Sequence, residues 1–133
     1  MSKSAIYVTN TTEPTITAGS VIPVGVTSRR FGCNIRQDGN TITLCGSGYY
    51  KVTAVATVTP AAAGTVSLTA QKDGVAVIGA TASATTAAVN ETVTLTVSAI
   101  IRNACGCDSS ILSFVLGGAT AVVNNLSVTV EKL

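Results

Sequence analysis

The stretch Tyr49-Tyr50-Lys51-Val52-Thr53-Ala54-Val55-Ala56-Thr57-Val58-Thr59 decides the fold. Its even positions, Tyr50, Val52, Ala54, Ala56 and Val58, are apolar, while the odd ones include Lys51, Thr53, Thr57 and Thr59. A period of two puts successive side chains on opposite sides of an extended chain, so this is a strand with one face buried. The pattern returns in residues 65–71, where Val66, Leu68 and Ala70 oppose Thr65, Ser67, Thr69 and Gln71. It returns again in residues 92–101, where Val93, Leu95, Val97, Ala99 and Ile101 oppose Thr92, Thr94, Thr96 and Ser98. The chain is therefore read as all-β.

Turn residues divide the strands. Asp38-Gly39 is a two-residue hairpin signal, because both residues tolerate positive φ. Taken as the loop, it pairs Gln37 with Asn40, Ile35 with Ile42 and Cys33 with Leu44. Lys72-Asp73-Gly74 and Pro60-Ala61-Ala62-Ala63-Gly64 close two further hairpins, and residues 84–90 and 117–120 read as loops. Pro14 and Pro23 confine the N-terminal third to edge strands or a lead-in. Strands are expected near 5–9, 20–27, 30–36, 40–45, 49–59, 65–72, 75–83, 92–102, 110–116 and 121–131. About ten short strands in one domain point to a sandwich, and a double-sheet jelly roll manages their edges. Residues 20–133 form that domain, and 1–19 are a lead-in strand or an anchor segment. Residues 111–116, Ile-Leu-Ser-Phe-Val-Leu, are apolar on both faces, which predicts a third covering layer such as a neighbouring subunit.

Composition points the same way. Only 11% of the 133 residues are charged, against about a quarter in ordinary soluble proteins, and mean hydropathy is +0.52. Apolar surface on this scale predicts an obligate oligomer, since monomers seldom expose large apolar patches. The net charge is +2, and the only basic cluster is Arg29-Arg30, without interleaved aromatics. That excludes a phosphate-tracking, base-stacking surface, so no nucleic-acid partner is expected. The N-terminus lacks the apolar core of a signal peptide. No run approaches the roughly 18 apolar residues of a membrane span, so no membrane partner is expected either. Synthesis in a host cytoplasm follows.

No catalytic residues are assigned. The chain contains no His, which removes Ser-His-Asp and Cys-His arrangements and most catalytic zinc sites. Asp38 and Asp73 are turn residues, and Glu13, Glu91, Asp108 and Glu131 show no acid-pair spacing. Cys105-Gly106-Cys107 is tight enough to share one metal, with Cys33 or Cys45 completing a set, but structural zinc normally uses two Cys-x₂₋₄-Cys pairs. The four thiols are read as free buried or loop residues, with a disulfide or a Cys105–Cys107 metal site as the alternatives. No cofactor is expected.

The order Asp38-Gly39, Ile42-Thr43-Leu44 and Gly48-Tyr49-Tyr50 before a long alternating strand resembles the Gly-x-Tyr region of the C1q/TNF-like jelly rolls. Gln71-Lys72-Asp73-Gly74-Val75 is similar to that family's strand–Asp-Gly–strand hairpin, and Leu126-Ser127-Val128-Thr129-Val130-Glu131-Lys132-Leu133 to its closing strand. The resemblance covers residues 20–133. It implies a compact homotrimer around a three-fold axis, with Tyr50 as the interior aromatic and Ile111, Leu112, Phe114 and Leu116 near the axis as trimer-interface residues. The chain lacks a collagen-like or coiled-coil stalk and has only 4% aromatics, so cytokine receptor binding is not carried over.

The Arg29-Arg30-Phe31-Gly32 stretch, the Gly-Tyr-Tyr turn, the Cys-rich loop and the ending Asn-Asn-Leu-Ser-Val-Thr-Val-Glu-Lys-Leu also resemble short family members encoded in bacteriophages and prophages. That resemblance implies a virion surface component, such as a head fibre, decoration protein or tail-associated knob, with other virion structural proteins as partners. The alternative is a carbohydrate- or receptor-binding module on a phage or bacterial spore surface, with Tyr49 as the ligand contact.

Overall fold

The computed structural model describes residues 4–88, 90–103 and 109–133. Eleven strands are formed among them. They are β1 (Ala5–Asn10), β2 (Thr15–Ile16), β3 (Val26–Phe31), β4 (Ile35–Asp38), β5 (Thr41–Leu44) and β6 (Gly48–Pro60). They continue with β7 (Gly64–Lys72), β8 (Val75–Thr86), β9 (Val93–Asn103), β10 (Ser110–Gly117) and β11 (Ala121–Lys132). One sheet runs β3-β1-β11-β6-β9, with β2 also on β11, and the other runs β4-β5-β10-β7-β8.

The alternation that decided the fold is the packing. Tyr50, Val52, Ala54, Ala56 and Val58 are fully buried between the sheets. Opposite them the second sheet contributes Leu68, Ala70, Leu112, Phe114 and Leu116, also fully buried. Each large aliphatic or aromatic group buried this way contributes about 1.5–3 kcal/mol. The expected strands from residue 49 onward coincide with β6–β11 to within a few residues. The Asp73-Gly74 loop has positive φ at both residues (53° and 81°), as a type I′ hairpin requires.

The N-terminal third differs from expectation. In place of strands at 20–27 and 30–36, the chain forms β2, β3 and β4, and residues 19–22 run beside β10. Gly25 interrupts the first expected strand. Its φ is +86°, and a Cβ there would lie 2.0 Å from the Thr9 carbonyl oxygen, so only glycine lets the chain cross β1 this closely. The 35–44 hairpin is also shifted. Ile35 pairs with Leu44 and Gln37 with Ile42, so the loop is Gly39-Asn40. Gly39 has φ +59° and takes the first loop position, where a type II′ turn needs it. Ile35, Ile42 and Leu44 all still reach the core.

The outer side of residues 111–116, where a covering layer is expected, stays partly open within one chain. Leu112, Phe114 and Leu116 point inward, Ile111 is exposed and Val115 is half-exposed. At the strand's edge residues 19–22 add a lateral neighbour: Gly19 N donates to Leu116 O (2.6 Å), Leu116 N to Ser20 O (3.1 Å) and Ile22 N to Phe114 O (2.8 Å). Residues 5–10 form an interior strand of the first sheet, β1, between β3 and β11.

Candidate functional site

The residues assigned from the sequence to a trimer interface fall into two groups. Tyr50, Leu112, Phe114 and Leu116 are fully buried inside one chain, and only Ile111 presents surface, at 47% exposure. Tyr50 closes one end of the core: its hydroxyl donates to the carbonyls of Cys45 (2.7 Å) and Gly46 (3.0 Å). Burial, aided by charge on the neighbouring Cys45 thiol, raises its phenol above the usual range. Asn103, itself buried, donates to the Leu44 and Gly46 carbonyls and accepts from the Ser110 hydroxyl. These bonds fix the 44–48 turn, a structural task.

The outward side of the first sheet is the broadest regular surface. Pairing aligns Tyr7, Thr129, Thr53 and Ser98 in one row across four strands, and Thr9, Ser127, Val55 and Thr96 in the next. Within these four strands neither row carries a charge, though on β3 Arg29 pairs with Tyr7 at the end of the first. Charge appears one row further on, where Glu131 faces Lys51 and Lys51 faces Ile100. At the β3 border an apolar hollow of about 210 Å³ opens between Ala5, Tyr7, Phe31, Arg29 and Thr129. The periodicity of Thr and Val already marked this side as the face turned away from the core.

The two flanks are unlike each other. Between β3 and β4, Thr27 donates to Gln37 (2.7 Å), Gln37 donates to the Gly25 carbonyl, and Arg30 donates to the Ile35 carbonyl (2.7 Å). Between β8 and β9 lies an open groove of about 300 Å³ lined by Lys72, Val75, Val77, Ile100 and Arg102. Sequence patterning missed this groove, because Ile78 (99% exposed) and Ile100 (60%) read as ordinary strand residues. The three-residue slip in the β7–β8 pairing beyond Thr69 was the feature that no alternation could announce.

Tyr49, assigned to ligand contact, is half-exposed and pairs with Arg102. Asp38 accepts hydrogen bonds from Thr43 and, at 3.0 Å, from Arg36, which hold its carboxyl below the ordinary range. Cys33 is exposed and Cys45 partly buried, and neither forms a disulfide among the described residues. Cys105 and Cys107 lie outside the described residues. Among the described residues no three His, Cys, Asp or Glu side chains gather as a metal site. No helix among them is long and apolar enough to cross a membrane.

No protein-family model matches the chain, and no curated protein matches it in sequence. Solved structures do match it in shape. Mouse APRIL superposes with a TM-score of 0.76 at 10% identity, covering 98% of this chain and 99% of that one. The PRD1 vertex protein P5 gives 0.67 at 20% identity over 98% and 96%. The globular domain of zebrafish complement 1qA gives 0.69 at 9% identity over 97% and 94%. The two five-stranded paths and these superpositions together make the fold the jelly roll of the TNF and C1q proteins.

Proposed function

We propose that the chain is a non-enzymatic structural protein that forms a compact homotrimer and serves on a virion surface, as a head fibre, decoration protein or tail-associated knob. The observation that carries the self-assembly is the uncharged centre of the first sheet's outer side, where Thr53, Val55, Thr96, Ser127 and Thr129 lie in register and Arg29, Lys51 and Glu131 sit only at the margins. Small hydroxyl side chains let a neighbouring copy approach closely and satisfy one another across the contact. A three-fold ring repeats one heterologous contact and closes, so the face is covered without growth into filaments. The likeness to a phage vertex protein supports the virion setting, with other virion structural proteins as further partners.

A second reading, a carbohydrate- or receptor-binding module, is favoured by the half-exposed ring of Tyr49 beside Arg102. A glycan array separates the two, since a purely structural trimer retains no sugar.

Light scattering on a sizing column at micromolar concentration tests the assembly. The expected mass is about three times the 13.3 kDa of one chain, and Val55→Lys is expected to give the monomer. A monomeric unaltered chain overturns the reading.

A further inference from the structure

Charge is distributed unevenly along the strands. The pairing registers give the sandwich two ends, one at the 44–48 turn, where β1 starts and β11 finishes, and the other at the turns 60–64 and 117–120. On the first sheet Arg29, Arg30, Lys51, Arg102 and Lys132 lie in the half nearer the 44–48 turn, since Arg30 pairs with Ile6, Tyr49 with Arg102 and Tyr50 with Lys132. On the second sheet Arg36 pairs with Thr43 and Lys72 with Leu112, in the same half. Every Lys and Arg among the described residues thus belongs to one end, beside the carboxylates Asp38, Asp73 and Glu131. The opposite end carries Glu13, beside Asn124, and Glu91, next to the Asn90 that bonds to Pro60, with no cation among the described residues. Little of the positive charge is answered within the chain. Only Arg36 forms an ion pair among the described residues, with Asp38 at 3.0 Å. Arg30 and Lys72 donate to main-chain carbonyls, which are neutral acceptors. Lys132 lies along the turn itself, its Nζ 3.9 Å from where a Cβ on Gly46 would stand.

We infer that this cationic end is a docking surface for an acidic face of another protein. Charge of one sign gathered at one end draws in an anionic partner before contact and fixes which way the chain is turned. Asp38, Asp73 and Glu131 stand among the cations, an arrangement that suits a protein face of mixed charge and opposes a continuous line of phosphates. The other end, with Glu13 and Glu91 alone, repels the same face. Arg36 is on the second sheet, and Lys132 shares the parity of the core-facing Val128 and Val130, so neither belongs to the self-assembly face. A three-fold rotation never turns a protomer end over end, so the proposed ring keeps three such ends on one side and multiplies the attraction. The inference rests on the proposed role as a module that attaches to other structural proteins, and it names the attaching end and the chemistry of the partner.

The test is fluorescence anisotropy of a labelled peptide of alternating Glu and Ser, and of a single-stranded oligonucleotide of equal charge, with the full-length protein. Saturable peptide binding is expected, falling as salt rises and weakened about tenfold or more by Arg36→Gln combined with Lys132→Gln. Glu91→Gln at the other end should leave it unchanged. Lack of peptide binding, indifference to the paired substitution, or equal or tighter binding of the oligonucleotide overturns the inference. Sizing of the same samples keeps the two readings apart. An intact trimer that ignores the peptide removes only the docking end, and a monomer that still binds it through Arg36 and Lys132 removes only the trimer. Growth beyond the trimer without peptide means that the cationic end meets another copy of this chain, which overturns the inference.

Discussion

Where β3 meets β4, Thr27, Gln37 and Arg30 reach across from sheet to sheet and bond to side-chain and main-chain acceptors. Where β8 meets β9, one lysine crosses, and Val75, Ile78 and Ile100 are left in solvent. Both flanks face the same problem, since sheet edges offer unpaired main-chain groups to any passing strand. The first flank answers it with polar stitching, and every residue of β3 can then be exposed without leaving a sticky edge. The second leaves apolar side chains beside open strands. Within one small sandwich, the same edge problem meets a polar answer on one flank and an apolar one on the other.

Changes on the closed flank should unfold the protein, and changes on the open flank should leave stability alone. The largest loss is expected for Gly25→Ala, which combines a positive φ with a Cβ driven into the Thr9 carbonyl. It should cost on the order of 3–5 kcal/mol, read by urea denaturation. A near-neutral result would show that the crossing of β1 can relax. Gln37→Ala removes bonds to Thr27, Gly25 and Gly39 and should cost about 1–2 kcal/mol. If Gln37→Ala cost nothing, the stitching would be ornamental.

A smaller effect is expected at Asp38. Its carboxyl is held below the ordinary 3.8 by Thr43 and Arg36. The folded form thus binds the proton less readily than the unfolded one. This contribution is complete above the ordinary value and fades as pH falls through the lowered one, so Asp38→Asn should flatten the acid limb of the stability profile. The burial-raised Tyr50 works in the opposite direction. Its share is complete below pH 10.0 and is lost as pH rises through the native pKa, so Tyr50→Phe should reduce alkaline unfolding. The smallest change is expected for Ile78→Ser, within about 0.5 kcal/mol, because its side chain is 99% exposed. A large loss there would mean that the open flank is packed in solution.

The long strands were legible in the sequence because each has one dry face. Val52, Ala54, Ala56 and Val58 write that face in period two, and packing obeys it. The Lys72–Val75 turn was legible because Asp-Gly chemistry is local. Register at Gly39-Asn40 was not, because Ile35 meets an apolar partner in either pairing, and the choice fell to turn geometry and the Asp38 carboxylate. Residues 111–116 were legible as a strand, but their lateral neighbours were not. The second set of neighbours, residues 19–22, is distant in sequence and too irregular to read as a strand. The candidate surfaces were least legible, since exposure of Ile78 and Ile100 depends on which strands end a sheet, and strand order is a property of the whole chain.

The place of β11 sets an order of events during synthesis. Residues 121–132 fill the slot between β1 and β6, pairing Ile6 with Val130 on one side and Val52 with Val130 on the other. Until they are made, the first sheet has no middle, and β1 and β6 wait with facing edges open. The local hairpins β4–β5 and β7–β8 can form earlier, whereas closure of the sandwich joins β1 to β11, far apart in sequence. A nascent chain stalled before residue 121 therefore lacks the strand that joins the two halves of its first sheet.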